Sequence, residues 1–228
     1  MEHSLDLTEV PGTPVLVGVG GSHAYGMAHA ESDVDYRGCY VAPTREFFGL
    51  HKPKETYDRH DPDVAMHEIG KTLWLASKGN PTVLELFFYS EYAVRAPVGD
   101  LLIANRDLFI TERIRSTHIG YAFEQFNRLK RREGSFSSDT AKRTEKHARH
   151  ILRLVLLAES TLTTGVFDIR VRDRDEIFAF GKLPHEEMLA QAEAQINRVK
   201  SVPSVLPPEP DMEAINDLLV SIREAELG

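Results

Sequence analysis

A short apolar run, Val15-Leu16-Val17-Gly18-Val19, stops at Gly20-Gly21-Ser22, and a second strand-like segment opens soon afterwards with Asp33-Val34-Asp35. No other feature constrains this chain as strongly. The aliphatic run reads as a buried strand, and the paired glycines end it in a tight turn. Side chains alternate faces along a strand. A strand over residues 33–41 therefore puts Asp33 and Asp35 on one face and turns Val34 into the core. The two carboxylates would stand about 7 Å apart along the strand, and they repel unless a cation neutralises them. Mg²⁺ suits that task, because it takes carboxylate oxygens together with the phosphate oxygens of a substrate. The glycines let backbone amides approach an anion, and the Ser22 hydroxyl adds a donor. Phosphate at the turn and metal on the aspartates together describe a nucleoside triphosphate held for attack at phosphorus. Either half alone is common, since Gly-Gly-Ser is usually a plain turn and Asp-x-Asp a solvated strand edge. Their joint occurrence, with ten residues between Ser22 and Asp33, is the signal.

The rest of the chain supplies a frame for that site. Residues 43–62 carry charge, Pro, Gly and His and read mainly as a surface loop. Residues 63–69 read as a third strand, which runs into a helix over 70–77 that ends at Lys78-Gly79-Asn80-Pro81. Residues 82–89 are apolar on all sides, which fits either strand or helix. Beyond Pro97, residues 98–132, 139–164 and 184–200 carry helical periodicity, residues 166–171 look strand-like, and a last helix covers 211–226. The expected architecture is α+β: a small mixed-sheet domain at 1–97 and a helical domain at 98–228. With 27 Lys and Arg against 35 Asp and Glu, the net charge of −8 argues against non-specific coating of nucleic acid, while a local basic patch can still meet phosphate. Cys39 is the only cysteine, so no intrachain disulfide or thiolate metal cluster is expected. With no secretory start and no spanning apolar stretch, the expected setting is the cytoplasm, without a membrane partner.

Gly21-Ser22, ten residues, then Asp33-Val34-Asp35 resembles the signature of the DNA polymerase beta nucleotidyltransferase superfamily. Within it, Gly21-Ser22-His23-Ala24-Tyr25-Gly26 with Ser32-Asp33-Val34-Asp35-Tyr36-Arg37-Gly38 is similar to a group of bacterial and phage nucleotidyltransferase-domain proteins. The likeness continues through Asp63 to Lys71, Gly79 to Glu85 and Lys142 to His150, and so covers most of residues 15–180. The resemblance implies a mixed sheet with helices on one side, a helical C-terminal part, dependence on Mg²⁺ (Mn²⁺ being the alternative ion), and transfer of a nucleoside monophosphate from an NTP. It also implies a third carboxylate from a neighbouring strand. Glu68 and Asp63 are both available, on opposite faces of the expected third strand; Glu68 is favoured because it sits where the strand meets its helix. A helix start at Glu68 and a strand cap at Asp63 are the plainer readings. The expected catalytic set is Asp33, Asp35 and Glu68, with Asp63 as a further metal ligand.

Further candidates surround the nucleotide. Gly21, Ser22 and Tyr25 would line the phosphate turn. Lys142, Lys146 and His150 are spaced to share one helix face and suit the β- and γ-phosphates or an acidic acceptor, though a charge run is usually a solvated face. Arg128-Leu129-Lys130-Arg131-Arg132 extends the basic character. Trp74 reads as core. The acceptor stays open between an RNA or tRNA end, a protein hydroxyl and a small molecule, as does the oligomeric state. Two other classes compete: a catalytically silent nucleotide-binding regulatory or antitoxin-like module, and a helical ribonuclease built on Arg143 and His150, which leaves the N-terminal motif unexplained.

Overall fold

The computed structural model describes residues 5–30, 32–131 and 138–227, with side chains described from residue 142 onward in the last stretch. They divide into two compact units, one from Met1–Phe109 with Pro210–Gly228 and the other from Ile110–Glu209.

The first unit is built on a five-stranded mixed sheet. Strand β1 (Thr13–Val19) pairs antiparallel with β2 (Asp35–Val41), the middle strand, on one side and with β5 (Tyr92–Arg95) on the other. Two further strands, β3 (Thr56–His60) and β4 (Asp63–Glu68), form an antiparallel pair, and β4 runs parallel to β2. The order across the sheet is β3-β4-β2-β1-β5. Alternation along the strands sorts the faces. Val17, Tyr40, Val64 and Met66 bury one face with Val10 and Ala42, with Leu5 and Leu7 packed against them. Cys39 lies on the other face, fully buried, and its thiol is pushed far up by desolvation first and by the charge of Glu68 second, so it stays protonated.

Helices close the unit. A single turn, α1 (Gly21–Ala24), follows β1. Helix α2 (Ile69–Ser77) leaves β4 directly, burying Ile69, Leu73 and Ala76 at the i, i+4, i+7 spacing of an amphipathic helix. Helix α3 (Pro81–Leu86) is started by the Asn80 side chain, which accepts from the Val83 amide, and by proline in its first turn. This settles the apolar stretch after Pro81 as helical. Helix α4 (Pro97–Ala104) packs on β1 and β5. The second unit holds α5 (Arg113–Lys130), α6 (Ser138–Thr164), α7 (Arg174–Gly181) and α8 (His185–Ser201), with α6 packed against the other three. Helix α9 (Met212–Leu227) belongs to the sheet unit and packs on α2. The units therefore divide after Phe109 rather than after Pro97, and the last helix returns to the first unit.

Three local expectations are corrected. The stretch taken as loop contains a 3₁₀ turn at Thr44–Phe48 and strand β3, which can be mostly polar because it is an edge strand of the sheet. Residues 166–171 form no strand: Phe167 and Ile169 are buried while Val166 and Arg170 are exposed, which gives a period of two without a strand beside it. Trp74 is not core but 54 % exposed, with the Lys78 ammonium 4.1 Å from its ring centre. No helix among the described residues is long and apolar enough to cross a membrane.

Glu68 ties these pieces together. It is the N-cap of α2, accepting from the Gly70 amide at 2.7 Å, and its other oxygen takes the Arg223 guanidinium of α9 at 2.6 Å. Arg223 also donates to the Ala42 carbonyl at 3.2 Å and lies over the Phe47 ring. Glu68 is 2 % exposed, and removing one partner of a buried pair strands the other charge at a cost of about 3–5 kcal/mol. Glu68→Ala is expected to lose stability of that order in urea unfolding, with the Glu68→Met/Arg223→Met double variant recovering part of it. A loss under about 1 kcal/mol would show the pair to be no more than a surface contact.

Candidate active site

The motif acids gather where β1 ends and β2 and β4 begin. The strand starts at Asp35, two residues later than the Asp-x-Asp pattern suggests. Asp33 therefore lies in the preceding loop, exposed, and Val34 is 42 % exposed instead of entering the core. Asp35 is fixed by the turn before it. The Gly20 amide donates to the Asp35 carbonyl at 2.7 Å, and Gly21 takes the left-handed conformation at φ +60°. A Cβ at Gly21 would fall 2.6 Å from Asp35 Oδ2, so glycine is required for conformation and for space. Ser22 is half-buried and His23 exposed in the single turn that follows.

The parallel pairing of β2 and β4 sets Asp35 opposite Asp63. Burial alone would raise the Asp63 pKa; the side-chain bond from Arg37 and its charge outweigh it, with a smaller part from His60, and hold Asp63 below the ordinary carboxylate value. Arg37 is two residues beyond Asp35 and so on the same face. Its two terminal nitrogens each donate to one oxygen of Asp63 at 3.3 Å, and one of them lies 4.0 Å from Asp35. Sequence reasoning quoted Arg37 within the motif without giving it a role. The signal was its i+2 spacing from Asp35, which becomes informative only once Asp63 is known to lie alongside.

Each remaining candidate has a definite place. Glu68, favoured as the third acid, pairs across the sheet with Tyr40, not with Asp35, and its carboxylate is committed to Gly70 and Arg223. The register of β4 sets Asp63, not Glu68, opposite Asp35. The Tyr25 hydroxyl donates to buried Glu85 at 2.6 Å, which fixes the turn onto α3 instead of offering the hydroxyl to a nucleotide. Lys71 donates to Thr56 Oγ1 at 2.5 Å, a hydroxyl also in contact with His67. Among the described residues, no three His, Cys, Asp or Glu side chains are gathered as a ready metal site. The donor chemistry at the motif nevertheless fits a hard divalent cation: two carboxylates meet, Asp33 stands on the exposed loop just before them, and a cationic side chain already lies against the pair.

In the helical unit, Lys142 and Lys146 of α6 are exposed, while His150 does not continue their charge. Desolvation first, then the Arg153 guanidinium, lowers its pKa to about 3, and Arg153 lies 3.5 Å from its Nδ1. His150 is neutral at pH 7, which removes it as a cationic phosphate ligand and leaves the two lysines. The basic run after Arg128 occupies the end of α5 as far as Arg131; Arg132 lies outside the described residues.

A mixed five-stranded sheet thus carries the Gly-Gly-Ser turn at the end of β1, beside Asp35 of β2 and Asp63 of the adjacent parallel strand. Residues 13–167 match the family described as RlaP, RNA repair pathway DNA polymerase beta family, and the chain belongs to it. No curated protein and no solved structure matches it significantly.

His118 gives this region a pH signature. It is fully buried, and desolvation, then Arg153, lowers its pKa to about 3. Below its ordinary value near 6.5 the unfolded chain takes a proton that the folded chain refuses. The native state therefore keeps its full margin above pH 6.5 and loses it as pH falls towards 3, at about 1.4 kcal/mol per pH unit per histidine. Urea unfolding between pH 7 and 5 is expected to show this slope, and His118→Leu to make it shallower by about one proton. An unchanged slope in that variant would remove His118 as its source.

Proposed function

We propose that the protein is a metal-dependent nucleotidyltransferase that moves a nucleoside monophosphate from an NTP to the hydroxyl of an RNA end. The observation that carries this reading is the meeting of Asp35 and Asp63 beside the Gly20-Gly21-Ser22 turn. The RNA acceptor rests on the family's description as part of an RNA repair pathway.

In this reading the backbone and hydroxyl at Gly21 and Ser22 receive phosphate oxygens of the donor. Asp33, Asp35 and Asp63 would hold Mg²⁺, which when bound neutralises charge on the α-phosphate and the departing pyrophosphate. The acceptor oxygen forms its bond to the α-phosphorus as the bond to the α–β bridging oxygen breaks. Pyrophosphate carries away that electron pair, and the acceptor's proton passes to the neighbouring Asp63 carboxylate. Orientation and charge neutralisation provide most of the acceleration, because phosphoryl transfer asks little covalent work of the protein. Lys142 and Lys146 of the helical unit offer solvated cations to an RNA backbone.

A second reading, a nucleotide-binding module that transfers nothing, draws on one observation: Arg37 already lies against the acids, and no three are gathered among the described residues. One experiment separates the two. Wild type, Asp35→Asn, Asp63→Asn and Glu68→Gln are incubated with α-labelled NTPs, Mg²⁺ and RNA bearing free terminal hydroxyls, and both RNA label and pyrophosphate are followed. Transfer by wild type, lost by roughly a hundredfold or more in the two aspartate variants, is the expected result. Glu68→Gln should lower thermal stability while its folded fraction still transfers label. Nucleotide binding without pyrophosphate would decide for the silent module.

A further inference from the structure

Like charges on facing strands need a neutralising partner, and at this site the chain supplies one of its own. Arg37 forks onto Asp63 through both terminal nitrogens at 3.3 Å, reaches within 4.0 Å of Asp35, and donates to the Tyr36 carbonyl at 2.8 Å. The turn makes room for it, since a Cβ on Gly20 would lie 3.1 Å from Arg37 Cγ and 2.6 Å from the Tyr89 hydroxyl. The fork is longer than the 2.7–2.9 Å usual for a guanidinium on a carboxylate, and the Arg37 side chain is 23 % exposed. It is an ion pair open to exchange, not a sealed one.

We propose that Arg37 is the internal counter-cation of the acid pair: it occupies the place of the metal in the empty enzyme and is transferred to the phosphates when the metal–nucleotide arrives. The inference rests on the nucleotidyltransferase reading for the identity of the incoming ligand. Its physical basis is competition for the same carboxylate oxygens. A divalent ion arriving alone must expel a guanidinium and leave it half-buried without a partner. An ion arriving with a triphosphate brings the replacement anion with it. Arg37 therefore weakens binding of the bare metal and strengthens binding of the metal–nucleotide, so that the two ligands enter together. Arg37 acts here as a positioning and selectivity residue, distinct from the acids.

The test uses the full-length protein and Mn²⁺ as the probe, titrated by electron paramagnetic resonance with and without a non-hydrolysable ATP analogue. Arg37→Gln keeps a hydrogen-bond donor near Asp63 and removes the charge; Arg37→Met removes both; Asp35→Asn is the control. Thermal unfolding of each variant confirms folding, and at least one of the two Arg37 variants is expected to retain the wild-type transition. The expected result is Mn²⁺ alone binding about tenfold more tightly to the Arg37 variants, and the Mn²⁺–nucleotide binding about tenfold more weakly. Unchanged bare-metal affinity in both Arg37 variants, with binding still lost in Asp35→Asn, would overturn the counter-cation role and leave the metal site standing. Absence of Mn²⁺ binding in every protein, with or without nucleotide, would overturn the metal reading and the proposal with it.

Discussion

Two carboxylates facing one another across a pair of parallel strands are the constraint around which the sheet unit is arranged. Unit charges about 4 Å apart near a protein surface repel by roughly 4 kcal/mol, a large share of the margin by which a domain stays folded. The parallel register of β2 and β4 nevertheless places Asp35 beside Asp63. Arg37, one pleat further along the same face, lies against both. The preceding turn has glycine at the two positions where a side chain would collide with this group: Gly20 against Arg37 and Gly21 against Asp35. Turn, acid pair and guanidinium thus form one set of mutually dependent contacts. A substitution at any of them disturbs the others before it disturbs the hydrophobic core.

The two acids of β4 show how burial separates roles that sequence leaves equivalent. Glu68 is deep, paired with Arg223 and engaged with a helix amide, so its charge is spent on joining β4, α2 and α9. Asp63 stands at the strand's opposite end with its side chain 47 % exposed, where a ligand can compete for its oxygens. A buried, fully bonded carboxylate contributes to the fold, whereas an exposed one held by a long ion pair can change partners. This is why the proposed function gives Glu68 a structural part and Asp63 a part in the chemistry.

What could be read from the sequence follows the range of the interaction involved. The Gly21-Ser22 turn, Asp35 and the helices with strong 3.6-residue periodicity are local, and they were legible. The third acid depends on which strand lies beside β2 and in which register, information that neither Asp63 nor Glu68 carries in its own neighbourhood. The same holds for α9, whose return to the sheet unit joins buried Ile215, Leu218 and Ile222 with an ion pair between residues 68 and 223. Strand β3 was hidden because an edge strand can be polar, and Trp74 misled because an aromatic between leucines is ordinarily buried. His150 misled for a different reason. Spacing placed it correctly on the face of Lys142 and Lys146, but its charge is decided by Arg153 and by burial, neither visible in the spacing.

The neutrality of His150 changes the electrostatics expected of α6. A continuous row of three cations would draw any polyanion to the helix, independent of what the acids were doing. With His150 neutral, the expected row of three keeps Lys142 and Lys146 as its solvated, salt-screened cations, while the Arg153 charge beside the histidine is buried. In a chain of net charge −8, that is a weak attraction for nucleic acid at large. On the proposed function, recognition of phosphate would fall chiefly on groups that act at short range, namely backbone amides at a glycine turn, a metal shared with the acids, and a guanidinium released from them. Such groups respond to a triphosphate that fits and ignore one that merely drifts past.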